Sequence, residues 1–151
     1  MFPGGLRVCR VSRAHLLRRL EADGMQFAPH SGPEALVHLC SAQEWESARR
    51  DGEHHPASLA AVGFVHLSTP QQVHLPANRL YAGRTDLVLL RIEPARLTSP
   101  VRWEPGVADD PDGMVFPHLY GPLPVPAVIS VTAYLPGADG RFAPDEAGLT
   151  P

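Results

Sequence analysis

The chain contains no lysine: all thirteen of its cationic side chains are arginine. That excludes a lysine nucleophile or Schiff base from any mechanism drawn for it. Cysteine is almost as scarce. Cys9 and Cys40 alone make neither a disulfide framework nor a paired ligand spacing for a metal. No apolar run approaches the length of a membrane span, and no leading hydrophobic segment resembles a secretory signal, so a soluble cytoplasmic protein is expected, with no membrane partner. Excess positive charge is missing too. A formal net charge of -3 over 151 residues leaves no basic footprint for nucleic acid. Three catalytic or binding patterns are also absent. There is no Gly-x-Ser-x-Gly elbow to expose a serine, no His-x-x-x-His pair, and no regularly spaced acidic loop ending in glutamate for calcium.

What remains suits one domain of ordinary size, long enough to bury a core. Residues 1–34 read as an N-terminal extension, partly flexible, in which only Val11 to Leu20 shows helical apolar spacing. Residues 35–136 form the expected domain, and residues 137–151 a loose tail. Within the domain, Leu36 to Cys40 reads as a strand. Ser41-Ala42-Gln43-Glu44 matches a capping box, with Trp45 and Ala48 on the buried face of the helix and Gly52 as its stop. A short helical turn over Ser58 to Val62 leads into a strand centred on His66. Thr69-Pro70-Gln71-Gln72 predicts a second helix start, with Pro76 kinking or restarting that helix and Gly83 ending it. The almost unbroken apolar run from Asp86 to Ile92 predicts a central strand buried on both faces. Val101 to Glu104 and Ala127 to Leu135 supply further strands. Phe116-Pro117-His118-Leu119-Tyr120-Gly121-Pro122 is rich in proline and glycine and reads as a rigid loop. The fold class expected is α+β: a small split or mixed sheet with two or three short helices.

The chemistry gathers on histidines in apolar surroundings. Alternation along Gly63-Phe64-Val65-His66-Leu67-Ser68-Thr69 sets Val65 and Leu67 on one face and Phe64, His66 and Ser68 on the other. Leu36-Val37-His38-Leu39-Cys40 repeats that layout around His38. Alone, either histidine is most simply a buried ring satisfied by a neighbouring carbonyl or hydroxyl. Together with Ser68, with His118 and Tyr120 and with the acid in Trp103-Glu104-Pro105, they suggest a polar floor in a cleft. A three-histidine metal site would need His38, His66 and His118. His54 and His55 lie in a polar stretch and are expected to be solvated.

Three ordered segments carry a resemblance: Gly63 to Thr69, Trp103-Glu104-Pro105, and Phe116 to Leu123 resemble the signature segments of the domain-of-unknown-function family 952. His38 falls where that family often has a Tyr-His or Tyr-Lys on its first strand, and the likeness runs over about residues 35 to 135. It implies a fold like that of ADP-ribosyltransferases, with a split sheet around an NAD-binding crevice. On that basis His38 orients the adenosine-side ribose, and His66 and Ser68 bind the dinucleotide or the nicotinamide ribose. Tyr120 supplies an aromatic surface, His118 a polar anchor or proton shuttle, and Glu104 a carboxylate that steadies a cationic ribosyl centre or activates an acceptor. Arg79 or Arg84 would meet phosphate. The Arg-Ser-Glu and Gln-x-Glu patterns of protein-modifying transferases are absent, and His118 stands where those enzymes place a glutamate, which argues against an arginine-directed toxin. The expected function is an NAD- or nucleotide-binding transferase acting on a small molecule, with no metal. The alternatives are a non-catalytic nucleotide- or metabolite-binding module and a metal-dependent hydrolase using the three histidines.

Overall fold

Leu36–Ser41 forms β1, a strand whose six residues are all buried. Its alternation serves two cores. Leu36 and Cys40 pack with Leu90, Ile92, Val65 and Leu119, while Val37 and Leu39 pack with Val73, Ala77, Leu87 and Leu89. The computed structural model describes residues 35–107, 110–111 and 113–146. The helix expected over Val11 to Leu20 and the acidic residues Asp109 and Asp112 lie outside them.

Ser41 closes β1 and caps α1 (Ala42–Asp51) with the reciprocal geometry expected of it. Its hydroxyl accepts the Glu44 N–H at 3.1 Å, and the Glu44 carboxylate accepts the Ser41 N–H at 3.0 Å. Trp45 and Ala48 are buried, and Gly52 ends the helix at φ 88°, a left-handed conformation that favours glycine. Then come β2 (Glu53–His54), α2 (Ala57–Val62) and the two-residue β3 (Val65–His66). The helix predicted from Thr69 starts later than its signal. Gln72 does accept the Thr69 N–H at 3.2 Å, but residues 69–73 form turns, and α3 spans His74–Tyr81. Pro76 therefore neither kinks nor restarts a helix. It falls in the first turn, where a missing N–H costs no intrahelical bond.

β4 (Leu87–Ile92) is the central strand of a three-stranded antiparallel sheet, flanked by β1 and by β8 (Val128–Ala133). Leu87 and Leu89 face one core and Leu90 and Ile92 the other, as a strand covered on both sides requires. A second three-stranded sheet has the order β3, β6, β5, with β5 at Val101–Pro105 and β6 at Val115–Leu119. β7 (Leu123–Pro124) pairs with β2. The class is α+β, with three helices and pairings that are all antiparallel among the described residues. The sheets are thus split as expected but not mixed. A single bridge between Val37 and Ser68, with N–H to O bonds of 2.8 and 2.9 Å, stitches β1 to the chain leaving β3.

Two expectations are corrected. Residues 115–119 form a strand, not a loop. Pro117 is tolerated because β3 stops at His66; its carbonyl accepts the Leu67 N–H at 3.0 Å, and the return bond that proline cannot donate falls beyond the ladder. The segment from Gly137 is also tied down as far as Asp145. Phe142 is buried and stacks on Tyr134 at 5.0 Å, its backbone exchanges hydrogen bonds with the Asn78 side chain at 2.8 and 3.0 Å, and Asp145 pairs with Arg91. No helix among the described residues is long and apolar enough to cross a membrane.

Candidate active site

Antiparallel pairing of β3 with β6 sets His66 directly opposite His118, so both rings project from the same face. Their centroids are 5.3 Å apart with planes at 88°. Phe64, two residues before His66, shares that face. It stacks on His118 at 4.0 Å with an interplanar angle of 16° and meets His66 edge-on at 5.0 Å. On the other flank of β6 the register puts Arg102 opposite His118 and Glu104 opposite Phe116, which brings Glu104 within diagonal reach of His118. The His118 Nδ1–H donates to Glu104 Oε1 at 2.7 Å, and the Tyr120 hydroxyl lies 2.8 and 3.0 Å from the two carboxylate oxygens. These bonds from His118 and then Tyr120 hold the Glu104 carboxyl below its usual range, and the same bond to Glu104 raises the Tyr120 phenol. The Arg102 guanidinium lies over the Tyr120 ring, 4.7 Å from its centroid. An imidazole whose Nδ1 is committed to a carboxylate keeps a fixed orientation and offers Nε2 for proton transfer.

His38 reaches the same region from β1. It is 7 % exposed, and its Nδ1 lies 2.8 Å from the His66 carbonyl oxygen, which can only accept. Nδ1 therefore carries the proton. Burial, then the neighbouring His54, lowers the His38 pKa to about 4, so the ring is neutral near pH 7 and its Nε2 is a bare lone pair. That nitrogen is buried and has no partner in the protein. Partial burial, with His118 and Arg79 nearby, lowers the pKa of His66 as well.

His38, His66, Ser68 and His118 all line one cavity of about 600 Å³, together with Phe64 and Arg79. The expected convergence of the three histidines thus holds. Glu104 and Tyr120 do not line it. They stand behind His118, with Glu104 bonded to that ring, and the aromatic side chains on the lining are Phe64, Tyr81 and Phe116 rather than Tyr120. Of the two arginines considered for phosphate, Arg79 is on the cavity, whereas Arg84 pairs with Asp86 away from it. The histidine the sequence pattern missed is His54. It is buried rather than solvated, opposite Leu123, with its ring 5.1 Å from His38 and its Nε2 unpartnered. The signal was the alternation Glu53-His54-His55, whose outer members pair with each other on the surface at 3.0 Å. Among the described residues no group of three or more His, Cys, Asp or Glu side chains is arranged to hold a metal ion.

A family model described as protein of unknown function, DUF952, matches residues 39–131. The chain belongs to the DUF952 family. The matched span starts just after His38 and includes His66, Ser68, Glu104, His118 and Tyr120. This DUF952 chain is also similar to protein CC0527 from Caulobacter crescentus. The crystal structure of that protein shares 32% identity over 72% of this chain and 92% of its own, with a TM-score of 0.62. Its solution NMR structure shares 30% identity over 77% of this chain and 96% of its own, with a TM-score of 0.59. No curated protein matches the chain.

Proposed function

We propose that this cavity binds NAD or a related nucleotide and transfers its ADP-ribosyl group to a small-molecule acceptor, on a fold of the ADP-ribosyltransferase kind. The observation that carries the proposal is the His118–Glu104 pair at the wall of a cavity that also receives His38 and His66. At about 600 Å³ the cavity lies within the roughly 300–1,000 Å³ typical of small-molecule sites. The ligand also fits its polar demands. His66 and Ser68 on the cavity lining offer hydrogen-bonding groups to a ribose, and Phe64 offers an apolar ring edge or face to a base.

Loss of nicotinamide from NAD breaks the C1′–N bond, the electron pair staying on the departing ring, and leaves a cationic ribosyl centre open to a nucleophile. His118 takes the proton from the acceptor hydroxyl as its oxygen bonds to C1′. Glu104 holds His118 in the required tautomer and balances the charge it gains, and Tyr120 fixes Glu104. A base held in this way contributes roughly 10²–10⁴-fold to rate. His38 and Ser68 position the ligand, and the neutral His66 adds a hydrogen-bonding group without a competing charge. The enzyme so proposed is cytoplasmic, and its partner is a small molecule.

Purified protein should bind NAD in calorimetry and release nicotinamide on incubation with it. Absence of binding at millimolar NAD would remove the proposal. Binding without release would leave a module that holds the nucleotide and does no chemistry.

A further inference from the structure

We propose that Arg79 and His66 form an anion subsite within the cavity that receives the phosphate of a nucleotide, and that Asp110 is a built-in competitor occupying Arg79 until the phosphate arrives. This rests on the nucleotide-binding role proposed above and adds to it the part of the ligand recognised and the residue that restrains recognition.

Arg79 lies in the last turn of α3, and its Nη1 donates to Asp110 Oδ1 at 3.0 Å. Both residues line the cavity, as does His66. The two sides of the ion pair are unequally covered. The Asp110 side chain is 5 % exposed, whereas that of Arg79 is 31 % exposed and remains open to a ligand. A guanidinium has five N–H donors, and among the described residues the hydrogen bond of Arg79 is the one through Nη1. The remaining donors suit a bidentate phosphate, the geometry in which arginine binds most strongly.

Asp110 is held in place rather than resting there by chance. Its Oδ2 accepts the Val107 N–H at 3.0 Å, and its own N–H donates to the Val107 carbonyl at 3.0 Å. Its approach requires Gly106. A Cβ at that position would lie 2.1 Å from Asp110 Oδ2 and 2.7 Å from the Phe116 ring. A carboxylate so placed neutralises Arg79 in the free protein, and a phosphate, with more charge and more acceptor oxygens, displaces it. His66 then completes the subsite from β3 as a hydrogen-bonding ring, and the positive potential of nearby Arg79 favours an anion beside it. Arg84 makes a useful contrast: its bonds to Asp86 are exposed and off the cavity, so it belongs to no such site.

The test titrates the full chain calorimetrically with adenosine, ADP and inorganic pyrophosphate, using wild type, Arg79→Gln, Arg79→Lys and Asp110→Asn. ADP should bind wild type at least about tenfold more tightly than adenosine. Arg79→Gln should erase that advantage, and Arg79→Lys should retain part of it, which a merely structural role for Arg79 would not predict. Asp110→Asn keeps a carbonyl oxygen for the Val107 N–H. It should tighten ADP and pyrophosphate roughly three- to tenfold while leaving adenosine unchanged. An ADP advantage that is absent, or that survives Arg79→Gln, overturns the subsite, and unchanged ADP affinity in Asp110→Asn overturns the competitor. Pyrophosphate that binds through Arg79 while ADP gains nothing over it preserves the anion subsite and overturns the nucleotide-binding role instead.

Discussion

The two three-stranded sheets of this protein differ in what they carry: one is almost wholly apolar, the other bears the titratable side chains of the candidate site. In the sheet of β1, β4 and β8 the strands are six residues long, β1 is wholly buried, and β4 is covered by apolar cores on both faces. In the sheet of β3, β6 and β5 the strands have two, five and five residues, with a proline inside the central one, and its face carries His66, His118 and Glu104. Groups that must gain and lose protons need access to a ligand and a partner that tolerates both states, which a strand buried on both faces denies. His38 is the exception that joins the two. It grows from the apolar sheet, is held neutral by burial, and sends its one donor to the backbone of the other sheet.

This division can be broken from either side. The largest effect is expected from Leu90→Ala, which opens a fully buried position in the apolar sheet and should cost about 2–5 kcal/mol in denaturant unfolding. A loss under about 1 kcal/mol would mean that β4 is not the structural centre. Next is acid sensitivity at the junction. Burial lowers the folded His38 pKa to about 4 from an ordinary 6.5, so as pH falls the unfolded chain takes up the proton first. Stability is undiminished above pH 6.5 and declines as pH falls from 6.5 toward about 4, by about 3 kcal/mol from this ring. His54 and His66, whose pKa values are also lowered, act in the same direction. Unfolding curves across that window should show the decline, and His38→Gln should flatten it. A slope unchanged in His38→Gln would place the sensitivity elsewhere. The smallest change concerns the cap that ends β1. Ser41→Ala removes the acceptor for the Glu44 N–H and should cost about 1 kcal/mol, with NAD turnover unaltered.

The same contrast decided what could be read from the amino acids. The apolar sheet follows local rules: alternation at Leu36 to Cys40, a continuous run at Leu87 to Ile92, and a capping box at Ser41 to Glu44 each specify their element within a few residues. The other sheet depends on pairings distant in sequence. Pro117 looked incompatible with a strand because nothing local announces that β3 ends one pair too soon to need its N–H. Glu104 was recognisable as the acid, but its position behind His118 follows from the β5–β6 register, which puts it diagonal to that ring. Phe142 likewise gave no local sign that Asn78, 64 residues away, would hold its backbone.

The most direct test is nicotinamide release from NAD by wild type, His118→Gln and Leu90→Ala, each assayed at a temperature where unfolding curves show it folded. The predicted result is release by wild type, a fall of roughly 10²-fold or more in His118→Gln with its stability nearly unchanged, and near-normal release in the less stable Leu90→Ala. Release that survives His118→Gln, or that falls as far in folded Leu90→Ala, would contradict the assignment of chemistry to one sheet and stability to the other.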